Sequence, residues 1–151
     1  MLSMKAKYGL LALVRLARAY GRGPVLIADL AAREGIPKKF LEVILLELKQ
    51  QGVLQSKKGK GGGYLLSRHP GEISVGQVLR ILDTNLVPVR CVGRSDAPPC
   101  EECHDRASCP IRALMTEVHS ATSHILEGTT LDQLAGRPAY PPPAAAQRYQ
   151  I

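Results

Sequence analysis

Apolar positions in the first fifty residues fall into three helical patterns, each closed by glycine. Leu10, Leu13, Val14 and Ala17 share one side of a helix, with Lys7, Arg15 and Arg18 mostly on the other, so a helix capped by Ser3 is expected to run to about Tyr20. Gly21 and Gly23 stop it. A second, short helix fits residues 27–34 and ends at Gly35. In the third, Pro37 suits the first turn, and Leu41, Ile44, Leu45 and Leu48 recur at the i, i+3, i+4, i+7 spacing before Gly52. Two helices joined by a short turn containing glycine, here residues 33–37, make a helix-turn-helix arrangement.

After Gly52 the period changes. Residues 53–56 and 64–67 read as two short strands around Lys57, Lys58, Gly59, Lys60, Gly61, Gly62 and Gly63. The glycines permit positive backbone angles and close approach, while the lysines project charge from the hairpin tip. A nucleotide-phosphate loop fits poorly, because no helix begins after these glycines and no Gly-Lys-Ser/Thr sequence occurs. A wing beside a recognition helix is the better reading. Ser74 then caps a helix reaching about Asp83, with Val75, Val78, Leu79 and Leu82 on its apolar side. Residues 84–108 contain Pro88, Pro98, Pro99, Gly93 and several charges, and read as a loop.

Ser108 or Cys109 opens a long helix that has Pro110 in its first turn and ends near Gly128. Ile111, Leu114, Val118, Ala121 and Ile125 step by 3, 4, 3 and 4, the seam spacing of a coiled coil, broadened by Met115, Thr122 and Leu126. This stripe either packs on the chain's own body or pairs with a second copy. Pairing is favoured if the module binds DNA, because a helix-turn-helix monomer makes few base contacts and a two-fold dimer reads two half-sites. Residues 130–135 add a last helical turn, and the Pro- and Ala-rich stretch after Gly136 is expected to be disordered.

The expected fold class is therefore mainly α with a small β-hairpin wing: a winged helix-turn-helix over residues 1–70. Residues 71–135 supply a supporting helix, a cysteine sensor loop (84–108) and a dimerisation helix (109–127), followed by the tail 136–151. Composition agrees. With 45% hydrophobic and 22% charged residues among 151, the chain sits near the globular average. Phe40 is its single Phe and Trp is absent, so Leu, Ile, Val and Ala must fill the core. The longest uncharged apolar run, residues 8–14, is far too short to span a bilayer, and Lys5, Lys7, Arg15 and Arg18 break any secretory signal. The expectation is a cytoplasmic protein with no membrane partner.

Charge is polarised. Residues 1–70 hold 13 Lys and Arg against 4 Asp and Glu, net +9, whereas residues 71–151 hold 7 against 9, net −2. All eight lysines lie in the basic half, the electrostatic footprint of a binder of double-stranded DNA. The plainer alternative is a solvated basic face.

The four cysteines cluster as Cys91, Cys100, Cys103 and Cys109, in a C-x8-C-x2-C-x5-C arrangement. A reducing compartment disfavours structural disulfides, and sulfur ligation suits an iron–sulfur cluster or zinc. Only Cys100 and Cys103 form a close pair, which weakens zinc. Cys109, opening a helix, gains from the helix dipole, which stabilises a thiolate or an anionic centre. Arg90, Arg94 and Arg106 act in the same direction, and Glu101, Glu102 and Asp105 oppose it. His104 is a further candidate ligand, His119 and His124 read as polar surface or interface positions, and His69 as facing solvent or phosphate. No Ser/His/Asp or paired-carboxylate set has persuasive spacing, so an enzyme is disfavoured.

Lys7-Tyr8-Gly9 opening an apolar helix, Phe40-Leu41-Glu42 in the third helix, residues 57–66 with their Gly-Gly-Gly-Tyr, and the cysteine loop together resemble the bacterial winged-helix regulators of the IscR/NsrR type, an iron–sulfur-sensing family. The resemblance covers residues 1 to about 135. It implies a homodimer crossing its long helices, two DNA-binding modules, and a cluster that modulates affinity for a two-fold operator. By the same resemblance Lys38, Lys39, Phe40 and Glu42 would face the major groove and Lys58 the minor groove. Lys57 and Lys60 would neutralise phosphates at the wing whose tip holds Gly61 and Gly62. Cys91 and Cys109 match the outer cysteines of the family's three, and Cys100 or Cys103 the middle one. IscR-like members carry His three residues beyond the last cysteine; Arg112 stands there, and the surplus cysteine is the obvious substitute ligand.

The expected function is a dimeric transcription regulator governed by an iron–sulfur cluster, 2Fe-2S favoured over 4Fe-4S. The alternatives are a DNA-binding regulator with a thiol-disulfide switch or a zinc site, and, from another class, a small iron–sulfur electron-transfer protein.

Overall fold

The computed structural model describes residues 2–83, 87–93, 100 and 107–138. The tail beyond residue 138 and most of the cysteine segment, including Cys103 and His104, lie outside the described residues. Ser3 caps α1 (Met4–Arg18) by accepting the Ala6 amide at 3.1 Å. The helix stops at Arg18, short of Tyr20, where the chain turns toward Gly21 with its φ of +79°. Next come α2 (Ile27–Glu34), ended by Gly35 in the left-handed region, and α3 (Lys38–Gln50). Pro37 stands at the cap of α3 rather than in its first turn; with extended backbone it directs the chain into the helix.

Strands β1 (Leu54–Lys57) and β2 (Gly63–Leu66) pair antiparallel, Leu54 opposite Leu66 and Lys57 opposite Gly63. Both lie one residue from the expected positions. For β2 the reason is tertiary: the segment before α2 pairs with the hairpin, Val25 and Tyr64 exchanging backbone hydrogen bonds of 2.8 and 2.9 Å. This third edge fixes where β2 begins. It also demands glycine at 63, because a Cβ there would strike the Val25 carbonyl.

A 3-10 turn (Pro70–Glu72), which periodicity cannot signal, leads to α4 (Val75–Leu82), capped by Ser74 through the Gln77 amide at 3.0 Å. Asp83 lies just past α4 and accepts the Ser3 amide at 2.9 Å, joining the starts and ends of distant elements. Cys109 is the N-cap of α5 (Pro110–Gly128), and α6 (Leu131–Gly136) opens with a capping box between Thr130 and Gln133. Among the described residues, no helix is long and apolar enough to cross a membrane.

One core joins these elements. Leu13 of α1, Leu30 of α2, and Leu41, Ile44, Leu45 and Leu48 of α3 are fully buried, together with Ile73, Val78 and Leu131. The core therefore continues past the wing into α4 and α6, and no polar or charged residue among the described ones is buried in it. Gly9 sets the closest approach: a Cβ there would collide with the Leu82 side chain and lie 3.3 Å from Ile44. Backbone hydrogen bonds from Val75 to Thr129 (2.8 Å) and from Leu131 to Ile73 (2.9 Å) zip the α5–α6 junction onto the start of α4.

Gly9→Ala should cost about 1–3 kcal/mol through overpacking, read as a Tm lowered by a few degrees in thermal unfolding. A Tm equal to the parent's would show that α4 yields freely.

Candidate nucleic-acid interface and cysteine segment

Helix α3 buries one side and exposes the other. Lys38, Lys39, Phe40, Glu42, Val43, Leu46 and Gln50 are exposed, while Leu41, Ile44, Leu45 and Leu48 hold the helix to the core. Phe40 is half committed: its ring meets Tyr8 edge-on at 5.8 Å, which binds the start of α3 to α1 while leaving the residue 40% exposed. Lys5 pairs with Glu47 at 2.5 Å along the same side. Val43 and Leu46 are functional candidates that periodicity hides, because an apolar residue in an amphipathic helix reads as core. A helical wheel exposes them, since they lie opposite the buried stripe.

Beyond α3, the wing presents exposed Lys57, Lys58 and Lys60. Gly59 and Gly61 take φ of +92° and +75°, and Gly62 is buried against the backbone, where any Cβ would strike the Lys57 carbonyl. The tip is thus a backbone-packed turn with its lysines outside. Its root is fastened to the recognition helix. Lys49 donates to Ser56 Oγ (2.6 Å), and Ser67 Oγ and Arg68 both donate to the Gly52 carbonyl (2.5 and 3.3 Å). Arg68 also reaches Gln77 Oε1 of α4 at 3.0 Å. His69 is exposed, in keeping with the expectation that it faces solvent or phosphate, and it also has a local structural role: its Nδ1 accepts the Gly71 amide at 3.0 Å and its ring abuts Tyr20 at 5.3 Å.

Two of the candidate ligands are drawn to one place. Cys91 is buried and Cys109 half-buried, whereas Cys100 is exposed. The Arg112 amide donates to Cys109 Sγ at 3.5 Å, and its Nε donates to the Cys91 carbonyl at 3.4 Å. Arg112 therefore ties both outer cysteine positions to the N-terminus of α5, Cys109 through its sulfur and Cys91 through its backbone carbonyl. A guanidinium only donates, so Arg112 cannot itself be a ligand. Among the described residues no three His, Cys, Asp or Glu side chains converge on a metal position; Cys103, Arg94, Arg106, Glu101, Glu102 and Asp105 fall outside them. Cysteine thiolates, where several converge, are the ligands that suit a soft metal or a cluster centre.

The remaining length of α5 has two faces and no fully buried residue. Leu126 packs on the core, and His119 is half-buried beside a cavity of about 500 Å³ lined by Arg80, Asp83, Val87, Gly93 and Glu127. Its Nδ1 is buried without a hydrogen-bond partner among the described residues, unlike the exposed His124. Glu127 forms an ion pair with Arg80 and accepts from Ser74 Oγ at 3.2 Å, anchoring α5 to α4. On the outer face Ile111 (64%), Leu114 (55%), Val118 (44%) and Ile125 (62%) are open to solvent together with Ala121, so the stripe does not pack on the chain's own body.

A recognition helix held by its neighbour, a basic glycine-tipped hairpin and a long helix behind them define a winged-helix DNA-binding protein. Over residues 2–137 the chain matches the Rrf2 family, described as iron-dependent transcriptional regulators, and it belongs to that family. It is 39% identical over 144 residues to a putative rrf2-like HTH-type transcriptional regulator of Rhodobacter capsulatus, covering 92% of this chain and 96% of the relative. It is 33% identical over 133 residues to the HTH-type transcriptional regulator IscR of Pectobacterium atrosepticum, covering 88% of this chain and 77% of that one. Among solved structures, CymR, the global cysteine regulator of B. subtilis, superposes with a TM-score of 0.75 at 29% identity, over 89% of this chain and 95% of that chain. The protein is thus a DNA-binding transcriptional regulator and not an enzyme.

Replacing Lys57 or Lys60 by Ala should weaken binding about equally for all duplex sequences. Each should lower the slope of log affinity against log salt by about one, measured by titration at several salt concentrations. An unchanged slope would remove that lysine from the phosphate contacts.

Proposed function

We propose that this regulator acts in the cytoplasm as a homodimer whose operator affinity is set by an iron–sulfur cluster, 2Fe-2S in preference to 4Fe-4S, at the cysteine segment. The observation that carries the reading is the bridge made by Arg112, which gathers the two outer cysteines at the start of α5. Cys91, Cys109 and one or both of Cys100 and Cys103 would hold the centre. When bound, it supplies an oxidant-sensitive tie among these thiolates. With Arg112 engaged in donating, the surplus cysteine completes the ligand set in place of histidine.

The DNA-binding half is residues 1–70, with Lys38, Lys39, Phe40 and Glu42 directed to the major groove. Lys57, Lys58, Lys60 and the tip glycines Gly61 and Gly62 approach the backbone and minor groove. The sensing half, residues 71–135, is laid over the shared core. The exposed stripe of Ile111, Leu114, Val118, Ala121 and Ile125 supports pairing with a second copy, since large apolar side chains at seam spacing are otherwise left in water. Glu127 holds α5 to Arg80 and Ser74 of α4, and Gln77 of α4 holds Arg68 at the root of the wing. A change at the cysteine segment would pass along these contacts and alter how two recognition helices meet their half-sites.

A second reading retains the DNA binding and makes the thiols themselves the switch. The structural likeness to CymR, a cysteine regulator, favours it over zinc.

Anaerobic purification followed by visible absorption, iron and acid-labile sulfide assays discriminates between them. Coloured protein with stoichiometric iron and sulfide is expected. Colourless protein carrying stoichiometric zinc, or resisting reconstitution, would overturn the cluster. Cys91→Ser and Cys109→Ser should each abolish it, whereas loss from all four Cys→Ser variants would establish full thiolate ligation.

A further inference from the structure

The solvent-facing side of α3 carries two large aliphatic residues, Val43 and Leu46, among its polar ones, where a surface helix ordinarily carries charged or polar residues. The four side chains it buries, Leu41, Ile44, Leu45 and Leu48, share one direction. At about 100° per residue, the opposite direction is occupied by Lys39, Val43, Leu46 and Gln50, each within roughly 30° of it. Glu42 and Phe40 flank that line at roughly 70° and 90°. Val43 is 59% exposed and Leu46 50% exposed, and neither belongs to the buried core. Val43 also lies in the second turn, one turn after Lys39, in the part of a recognition helix that meets base edges.

The surroundings name the occupant. Lys38 and Lys39 at the start of α3, and the three wing lysines, complement phosphates on either side of a groove. Within the major groove thymine alone offers a methyl group, and aliphatic side chains read it by contact. Val43 has no side-chain donor or acceptor, so apolar contact is the only readout it can supply. We infer that Val43 reads a thymine methyl in the major groove of each half-site, with Leu46 extending the dry strip beside it. Val43 is thereby a specificity-determining residue. This rests on the DNA-binding function of the fold.

The test begins with the full-length protein selecting duplexes from a randomised pool. Each thymine of one selected half-site is then replaced by deoxyuridine, which removes only the methyl group. At one position the parent protein should lose about fourfold in affinity, the worth of one buried methyl-sized group. The same replacement should leave Val43→Ala unaffected, and that variant on the thymine duplex should equal the parent on the uracil duplex. An exposed valine is not needed for folding, so Tm and affinity for random-sequence duplex should be unchanged. Indifference of the parent to every uracil replacement would overturn the inference, as would a full methyl penalty retained by Val43→Ala. Equal weakening of Val43→Ala on all duplexes would also overturn it, pointing to a structural role or to a partner other than DNA. If no duplex were selected at all, the DNA-binding reading itself would fail first.

Discussion

The position of α4 is the constraint on which the rest of the molecule depends. It is wedged against α1 through the space that Gly9 leaves open, sealed to the α5–α6 junction by backbone hydrogen bonds, and linked by Gln77 to Arg68 at the foot of the wing. Such close packing leaves little room for independent movement, because interiors packed at crystal-like density transmit displacement instead of absorbing it. The helix that exposes Lys38, Lys39 and Glu42 and the helix that opens at Cys109 therefore share one intermediary. A charge-rich surface module and an apolar scaffold meet there with no buried polar residue among the described ones to hold them apart.

Much of this architecture is legible in the chain itself. Ser3 and Ser74 mark helix starts because each side chain can satisfy an amide the helix leaves open, and each does so. The apolar stripes of α3 and α4 identify their buried sides for the same local reason. Where structure and pattern differ, the cause is nonlocal. β2 begins one residue early, at Gly63, where Val25 and Leu26, far back along the chain, lie against it and Val25 pairs with Tyr64. The half-burial of His119 depends on residues 87–93 approaching α5, which no periodicity can report. The 3-10 turn at Pro70 is too short to have a period.

The site is legible in part for a different reason. Charge and glycine announce the wing, since both are compositional signals that survive without a structure. Val43 and Leu46 are apolar, and the pattern that reveals a core also conceals an apolar residue facing away from it. Arg112 is visible as a departure from the ligand pattern of similar regulators, but its bridge between Cys91 and Cys109 needs the fold. One substitution thus removes a prospective ligand and supplies a clamp for two others.

The anchoring of α5 has a mechanical consequence. Glu127 fastens the helix to α4 near its C-terminal end, while Cys109 sits at the opposite end, about 27 Å away at 1.5 Å per residue. The helix is then a lever with its fulcrum beside the DNA-binding core and its long arm at the thiols. A displacement of about 2 Å at the cysteine end would turn it by only about 4–5° over that length. In a two-fold pair the two levers would turn in opposite senses, so the change in angle between protomers would be twice the change within either one.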